Sequence, residues 1–323
     1  MIHERRLGRT GLSVSEVGYG AWGIGGSMWL GAEDQESLRA LNRAIDLGVN
    51  FIDTAAVYGN GHSERLVGEV VRERDERIVV ASKIPPKNSE WPARTSDPDE
   101  AFPADHIRKW TERTLSNLGL DVLDVQQFHV WNDEWVGRGS WHEGIEALKD
   151  EGKIRFFGVS INDLQPANAI RLVDTGAVDT VQVIYNVFEQ APEDDLLAAC
   201  ARNDVGVIAR VPFDEGSLTG RLTADSTFPE GDFRNDYFSG ERSLDKVDER
   251  VRAIVDDLGI SREELPEVAL RYVLSRPEIS TVIPGMRSVR NVERNVAVGD
   301  GRGLAPERVD ALKAHRWVRN FYA

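Results

Sequence analysis

The residues of this sequence best suited to chemistry are Asp53, Tyr58, Lys83 and His129. A phenol has an ordinary pKa near ~10 and donates a proton poorly at neutral pH. A cation beside it eases that release, and a carboxylate is one way to hold the cation in place. Asp53 with Lys83 supplies such a pair, Tyr58 the proton, and His129 a hydrogen-bonding group for a substrate oxygen. The combination predicts proton transfer to an oxygen atom. A different chemistry is open to the same residues, because a strand-end lysine can form a Schiff base with a carbonyl, as in aldolases. An ion pair with Asp53 would keep Lys83 protonated and poorly nucleophilic. Singly, each residue also has an ordinary structural use: Asp53 as a helix cap, Tyr58 as a half-buried aromatic, Lys83 as a surface residue, His129 as a satisfied core histidine.

The elements that must position these residues read as alternating strands and helices. Apolar runs over 17–23, 50–53, 77–83, 122–129, 154–160, 180–183, 205–210 and 281–284 read as strands. Between them apolar residues recur at helical spacing, as in Leu38, Leu41, Ala44 and Ile45 before Gly48. Gly59, Asn60 and Gly61 form a turn after the second strand, and Ser63 with Glu64 reads as a capped helix start. Residues 2–17, folding about Gly8-Arg9-Thr10-Gly11, read as a β-hairpin. Residues 84–103 hold five prolines and read as a long loop, as do 130–140 and 213–241. Eight strand-then-helix units without a linker predict parallel strands with right-handed crossovers. Eight such units close into a (β/α)8 TIM barrel, here a single domain over 1–323 with an N-terminal β-hairpin and long loops at the C-terminal face. In that fold catalytic residues sit at C-terminal strand ends, where Asp53, Lys83 and His129 fall, with Tyr58 just beyond. A doubly wound sheet is the alternative, but its G-x-G-x-x-G fingerprint is absent after the first strand.

The formal net charge of −15 over 323 residues argues against nucleic acid or an anionic membrane as the main partner. A salt-adapted surface is another source of such a charge. Basic residues are nearly all arginine, with only seven lysines, which singles out Lys83. The one cysteine, Cys200, excludes an intrachain disulfide and a cysteine metal site; it shares a helical face with Leu196 and Leu197 and reads as core. The six histidines show no metal-ligand spacing, so no metal is expected. No apolar run approaches 18 residues and the N-terminus is charged, which predicts a soluble cytoplasmic protein, monomeric or a small homo-oligomer, acting on a small molecule.

Phe51-Ile52-Asp53-Thr54-Ala55 with Tyr58-Gly59 and Ser63-Glu64, then Ser82-Lys83, then Phe128-His129, resembles the Asp-Tyr-Lys-His tetrad of the aldo-keto reductases. The resemblance covers nearly the whole chain. Gly20-Ala21-Trp22-Gly23 is similar to the family's Gly-Thr-Trp turn, which places Ala21 and Trp22 beside cofactor and substrate. Gly158-Val159-Ser160 is similar to Gly-Val-Ser-Asn, and Val181-Gln182-Val183 with Tyr185-Asn186 to the strand-six pattern. What the resemblance implies is NADPH-dependent reduction of an aldehyde or ketone, with NADP(H) extended across the barrel mouth, past Asp53, and Tyr58 protonating the oxygen. Ser160 and Gln182 would hold the carboxamide. Ile161 stands where the family has asparagine, and Asn162 follows one register off.

The resemblance also gives the segment from Pro212 through Gly216, Ser217, Leu218, Gly220 and Arg221 to the pyrophosphate. Ile283, Gly285, Arg287, Asn291 and Asn295 resemble the adenosine segment, with Arg287 set to neutralise the 2′-phosphate. Arg294 replaces a common glutamate there. Arg210 stands where many members place a tyrosine over the nicotinamide; it either pairs with an acid such as Asp214 or covers the ring itself. Trp22, Trp91 and Trp131 are the expected pocket-lining residues, with Trp135, Phe233 and the segment from Trp317 to Tyr322. A nicotinamide-sensing regulatory subunit shares the fold and is the non-enzymatic alternative.

Overall fold

The computed structural model describes residues 2–26 and 30–318; part of the C-terminal segment expected to line the pocket, 319–322, lies outside the described residues. Eight parallel strands run in chain order around one sheet: β3 (Tyr19–Gly20), β4 (Phe51–Asp53), β5 (Val79–Ile84), β6 (Leu123–Phe128), β7 (Ile154–Ser160), β8 (Thr180–Ile184), β9 (Gly206–Arg210) and β10 (Ile279–Val282). The sheet closes into the expected barrel where Val17 and Gly20 pair in parallel with Val282 and Gly285. At that seam the Gly18 N–H donates to the Val282 carbonyl at 2.8 Å. A side chain at Gly20 would place its Cβ 2.6 Å from the Ile283 carbonyl oxygen, so glycine is required at the closure. The first barrel strand is therefore only two residues long, and the chain leaves it in a tight turn, Trp22–Ile24.

The N-terminal hairpin pairs β1 (Glu4–Arg6) with β2 (Ser13–Ser15), antiparallel. It plugs the N-terminal end of the barrel, where Leu7 and Val14 join Phe51, Val79, Ala81, Val125, Ile208 and Ile283 in one apolar cluster. Burying each such side chain contributes about 1.5–3 kcal/mol, so the plug stabilises the end opposite the site. Helices cover the outside through the faces their spacing predicts. Ala40, Leu41, Ala44 and Ile45 are buried in the helix Asp34–Asp46, and Cys200 is buried with Leu196 and Leu197 in Leu196–Arg202. The loop over 84–103 contains a short helix, Pro98–Ala101, capped by Asp97, whose side chain accepts from the Asp99 N–H at 3.0 Å.

One expected pocket residue belongs to the core instead. Trp131 is fully buried, its ring 5.4 Å from Trp135 and 5.2 Å from Trp141, and its indole N–H donates to Asp133 at 3.0 Å. An indole gains most when its ring is buried and its N–H satisfied, and the aromatic cluster beside Phe128 offers both. Trp135 is buried in the same cluster. Among the described residues no helix is long and apolar enough to cross a membrane, and no three His, Cys, Asp or Glu side chains gather as a metal site.

Candidate active site

The tetrad assembles at the C-terminal rim. Asp53 is the last residue of β4, Lys83 lies one residue before the end of β5, His129 directly follows β6, and Tyr58 sits on the turn after β4. Lys83 is fully buried and all three of its ammonium hydrogens have acceptors: Asp53 Oδ1, the Thr54 carbonyl at 2.8 Å and the Tyr58 hydroxyl at 3.4 Å. The other carboxylate oxygen, Asp53 Oδ2, accepts from Gln127 Nε2 at 3.1 Å and from Gln182 Nε2 at 2.7 Å. The His129 ring stands edge-on to Tyr58, with centroids 5.7 Å apart, and edge-on to Trp91 at 4.7 Å. Its buried Nδ1 has no hydrogen-bond partner among the described residues. The Trp22 ring lies 6.3 Å from that of Tyr58 and 5.0 Å from that of Phe233, so Tyr58 belongs to a cluster of aromatic rings.

The turn that carries Tyr58 is tied down from beneath. Ser63 is not the helix cap its position suggests, since Gly61 occupies that place in the left-handed region. The Ser63 hydroxyl donates to the Ala21 carbonyl at 2.8 Å and lies 2.9 Å from Thr54 Oγ1, joining the ends of β3 and β4. Glu64 is fully buried and accepts from Ser82 at 2.6 Å, Thr114 at 2.8 Å and Asn117 at 2.7 Å. A carboxylate so enclosed needs every one of these donors, and the bond to Ser82 fixes the strand position next to Lys83.

Burial decides both titrations at this site. The sequence predicts a lowered Tyr58 pKa, but burial raises it; Lys83 and Arg210 oppose that shift and Asp53 adds to it. Tyr58 therefore keeps its proton at neutral pH, as a proton donor must. Burial, then the charges of Lys83 and Arg210, hold His129 well below the usual imidazole range, so it is neutral.

The residues assigned to a cofactor by resemblance are placed as follows. Ser160 and Gln182 are buried at the ends of β7 and β8. Asn162 faces away from them: its amide holds Ala93, accepting from its N–H at 3.2 Å and donating to its carbonyl at 3.3 Å. The one-residue shift in register, with Ile161 in the earlier place, turns it into a clasp for the loop over 84–103. Arg210 pairs with Asp163, not Asp214, and donates to the Ile161 carbonyl at 3.2 Å. Asp214 instead accepts from Ser217 at 2.6 Å and Tyr237 at 3.2 Å.

Beyond Pro212 the backbone is unusual. Val211, Asp214 and Glu215 have φ of +56°, +48° and +55°, and Gly216 +112°. Residues of this hand in succession shape anion-binding concavities. Burial, with Asp214 and Asp163 beside it, pushes the Glu215 carboxyl up to about 8, against the pull of Arg210 and Arg234, so at neutral pH it brings little negative charge to the segment. Gly220 packs on the Arg262 backbone, and Leu218 is core.

At the far end Arg287 is drawn under the loops: its Nη1 donates to the Leu30 carbonyl at 2.9 Å and its stem packs on Gly23. Three other arginines gather instead. Arg290 and Arg294 lie one turn apart on the helix Val289–Val296, and partial burial together with their charges lowers the Arg221 pKa. Among the described residues none of the three has a carboxylate within 4 Å, although the chain carries a net charge of −15; Arg294 donates to the Glu263 carbonyl at 3.0 Å. Asn291 and the buried Asn295 share that helix.

A closed barrel with a buried Asp–Lys pair set against a tyrosine at its C-terminal rim is equipped to move a proton to or from an oxygen. The chain belongs to the aldo/keto reductase family, whose model matches residues 16–316. It is 28% identical to the NADH-specific methylglyoxal reductase of Escherichia coli (strain K12), over 90% of this chain and 91% of that one. It is 29% identical to a probable voltage-gated potassium channel subunit beta of Oryza sativa subsp. japonica, over 96% and 95%. Among solved structures it resembles an aldo/keto reductase from Klebsiella pneumoniae in complex with NADP and acetate, with a TM-score of 0.69, 26% identity, and coverage of 99% and 98%.

Sequence reasoning missed Gln127, Asp163 and Glu64 as parts of the site. Each lies within or beside a strand or helix whose apolar pattern accounts for its neighbours, and only the folded contacts show what it holds.

Proposed function

We propose that this protein reduces an aldehyde or ketone to its alcohol with NADPH, Tyr58 giving the proton. The observation that carries the reading is the buried Lys83 ammonium, 3.4 Å from the Tyr58 hydroxyl and clamped by Asp53. NADPH, when bound, supplies the hydride. Tyr58 keeps its proton until the carbonyl oxygen takes on negative charge, and Lys83 stabilises the phenolate that is left. Neutral His129 offers the same oxygen a hydrogen bond without competing as an acid. Trp22 and Trp91 limit water around the hydroxyl and give the substrate an apolar wall.

The residues present fit a dinucleotide. Ser160 and Gln182 offer polar atoms beside the tetrad, the segment after Pro212 has the backbone form of an anion cradle, and Arg221, Arg290 and Arg294 gather positive charge with no ion-pair partner among the described residues. That cluster supports NADPH over NADH, by contacts to a 2′-phosphate. Schiff-base chemistry is disfavoured, because a lysine with all three hydrogens engaged has no lone pair to attack with. NADPH oxidation against an aldehyde and ketone panel tests the reading. Tyr58→Phe should lower kcat by roughly 10²–10⁴-fold while NADPH binding persists. A variant retaining above about a tenth of wild-type activity would exclude Tyr58 as donor. NADPH binding without turnover of any carbonyl by the wild type would favour the alternative of a nicotinamide-sensing regulatory subunit.

A further inference from the structure

Asp53, Gln127 and Gln182 come from β4, β6 and β8, alternate strands of the barrel, and all three are buried in one layer beneath the site. Asp53, paired with Lys83, is a carboxylate and can only accept hydrogen bonds. Both amides on its Oδ2 must therefore present their NH2 ends, which settles orientations that an amide in isolation leaves open. With the NH2 of Gln127 turned to Asp53, its carbonyl oxygen lies 3.3 Å from Gln182 Nε2. Gln182 thus gives one N–H to Asp53 and the other to Gln127. Its carbonyl end is the part left over.

We propose that Gln127 is a positioning residue that locks the Gln182 amide with its carbonyl toward the cofactor, so that Gln182 accepts a hydrogen bond from the carboxamide NH2 of the nicotinamide and donates none. This rests on the nicotinamide-dependent reading above. Without Gln127, Gln182 keeps only its bond to Asp53, and its carbonyl end can pivot away from the cofactor about that single contact. The same layer holds the carboxylate that sets Lys83 and Tyr58, so ring orientation and proton delivery share one hydrogen-bonded unit. Selectivity follows: a nicotinamide analogue with an acetyl group in place of the carboxamide has no N–H to give and loses this bond.

The test compares dissociation constants of NADPH and of its reduced 3-acetylpyridine analogue, by fluorescence titration of wild type, Gln127→Leu and Gln127→Glu. Wild type should prefer NADPH by about tenfold, the size of one hydrogen bond. Gln127→Leu should bring that ratio near one. Gln127→Glu keeps an acceptor for Gln182 while setting a second carboxylate beside Asp53, so its ratio should stay near wild type while kcat for carbonyl reduction falls. Should the leucine variant fail to fold, the unbranched Gln127→Met reads the same ratio. A ratio unchanged within twofold in the leucine or methionine variant overturns the proposal alone, as does a glutamate variant that loses the ratio. A wild type that binds neither nucleotide overturns the nicotinamide reading, and the proposal with it.

Discussion

Replacing Lys83 by methionine asks whether the buried ion pair or the fold around it dominates the stability of the rim. The substitution removes all three ammonium bonds and leaves the Asp53 carboxylate, only 3% exposed, with two amide donors. Breaking a buried pair from one side costs about 3–5 kcal/mol, and the surviving amides place this case near ~3 kcal/mol. For 323 residues the unfolding entropy is roughly 0.7 kcal/mol/K, so Tm should fall by about 4–5 °C. Asp53→Asn strands the ammonium in the same way and should cost a similar amount.

The double variant removes both charges and so escapes the penalty of a lone buried ion. Its Tm should lie at least about 2 °C above either single variant, because a buried pair exchanged whole is often near neutral. Reduction, followed by NADPH oxidation, should stay depressed by roughly 10²-fold or more in all three, since Tyr58 loses the cation that stabilises its phenolate. Stability would return without activity. Additive losses of Tm in the double variant, or recovery of turnover with it, would refute the reasoning.

Four further outcomes follow from the same geometry. With Tyr58 raised and His129 lowered, kcat/KM for the carbonyl at saturating NADPH should be flat from about pH 6.5 to 10, the ordinary values of the two groups, and a limb near pH 7 would contradict it. Because folded His129 resists a proton that the unfolded chain accepts near ~6.5, it should also make stability fall as pH drops below that value, a fall missing from His129→Gln. Arg210, whose charge reaches both Tyr58 and His129, should weaken NADP⁺, with its cationic nicotinamide ring, more than NADPH; Arg210→Tyr should tighten NADP⁺ selectively, and equal shifts in both dissociation constants would rule that out. Arg290→Glu with Arg294→Glu should raise the KM for NADPH well above its effect on NADH, whereas Arg287→Ala, which releases Leu30, should affect both cofactors alike.

How much was legible beforehand depended on whether a residue acts through its own element or through a distant one. The barrel, the hairpin and the rim placement of Asp53, Lys83 and His129 follow from local pattern, because the close of an apolar run marks where a strand ends, and Tyr58 follows as the tyrosine on the turn beyond Asp53. Asn162 was misplaced because its partner, Ala93, lies 69 residues away in a loop whose path no periodicity records. Arg210 was given the nearer acid, Asp214, while barrel closure sets Asp163 across from it. Trp131 read as a pocket residue because it lies in the loop over 130–140, yet a ring that can bury its face and satisfy its N–H packs inward. Tyr58 shows the deeper gap. The sequence supplies the cation that lowers a phenol pKa, but the sign of the shift is decided by how far the hydroxyl is withdrawn from water, and that is a property of the closed rim. The outcome suits reduction, since a tyrosine that stays protonated in the resting site gives up its proton only when the substrate oxygen has become the stronger base.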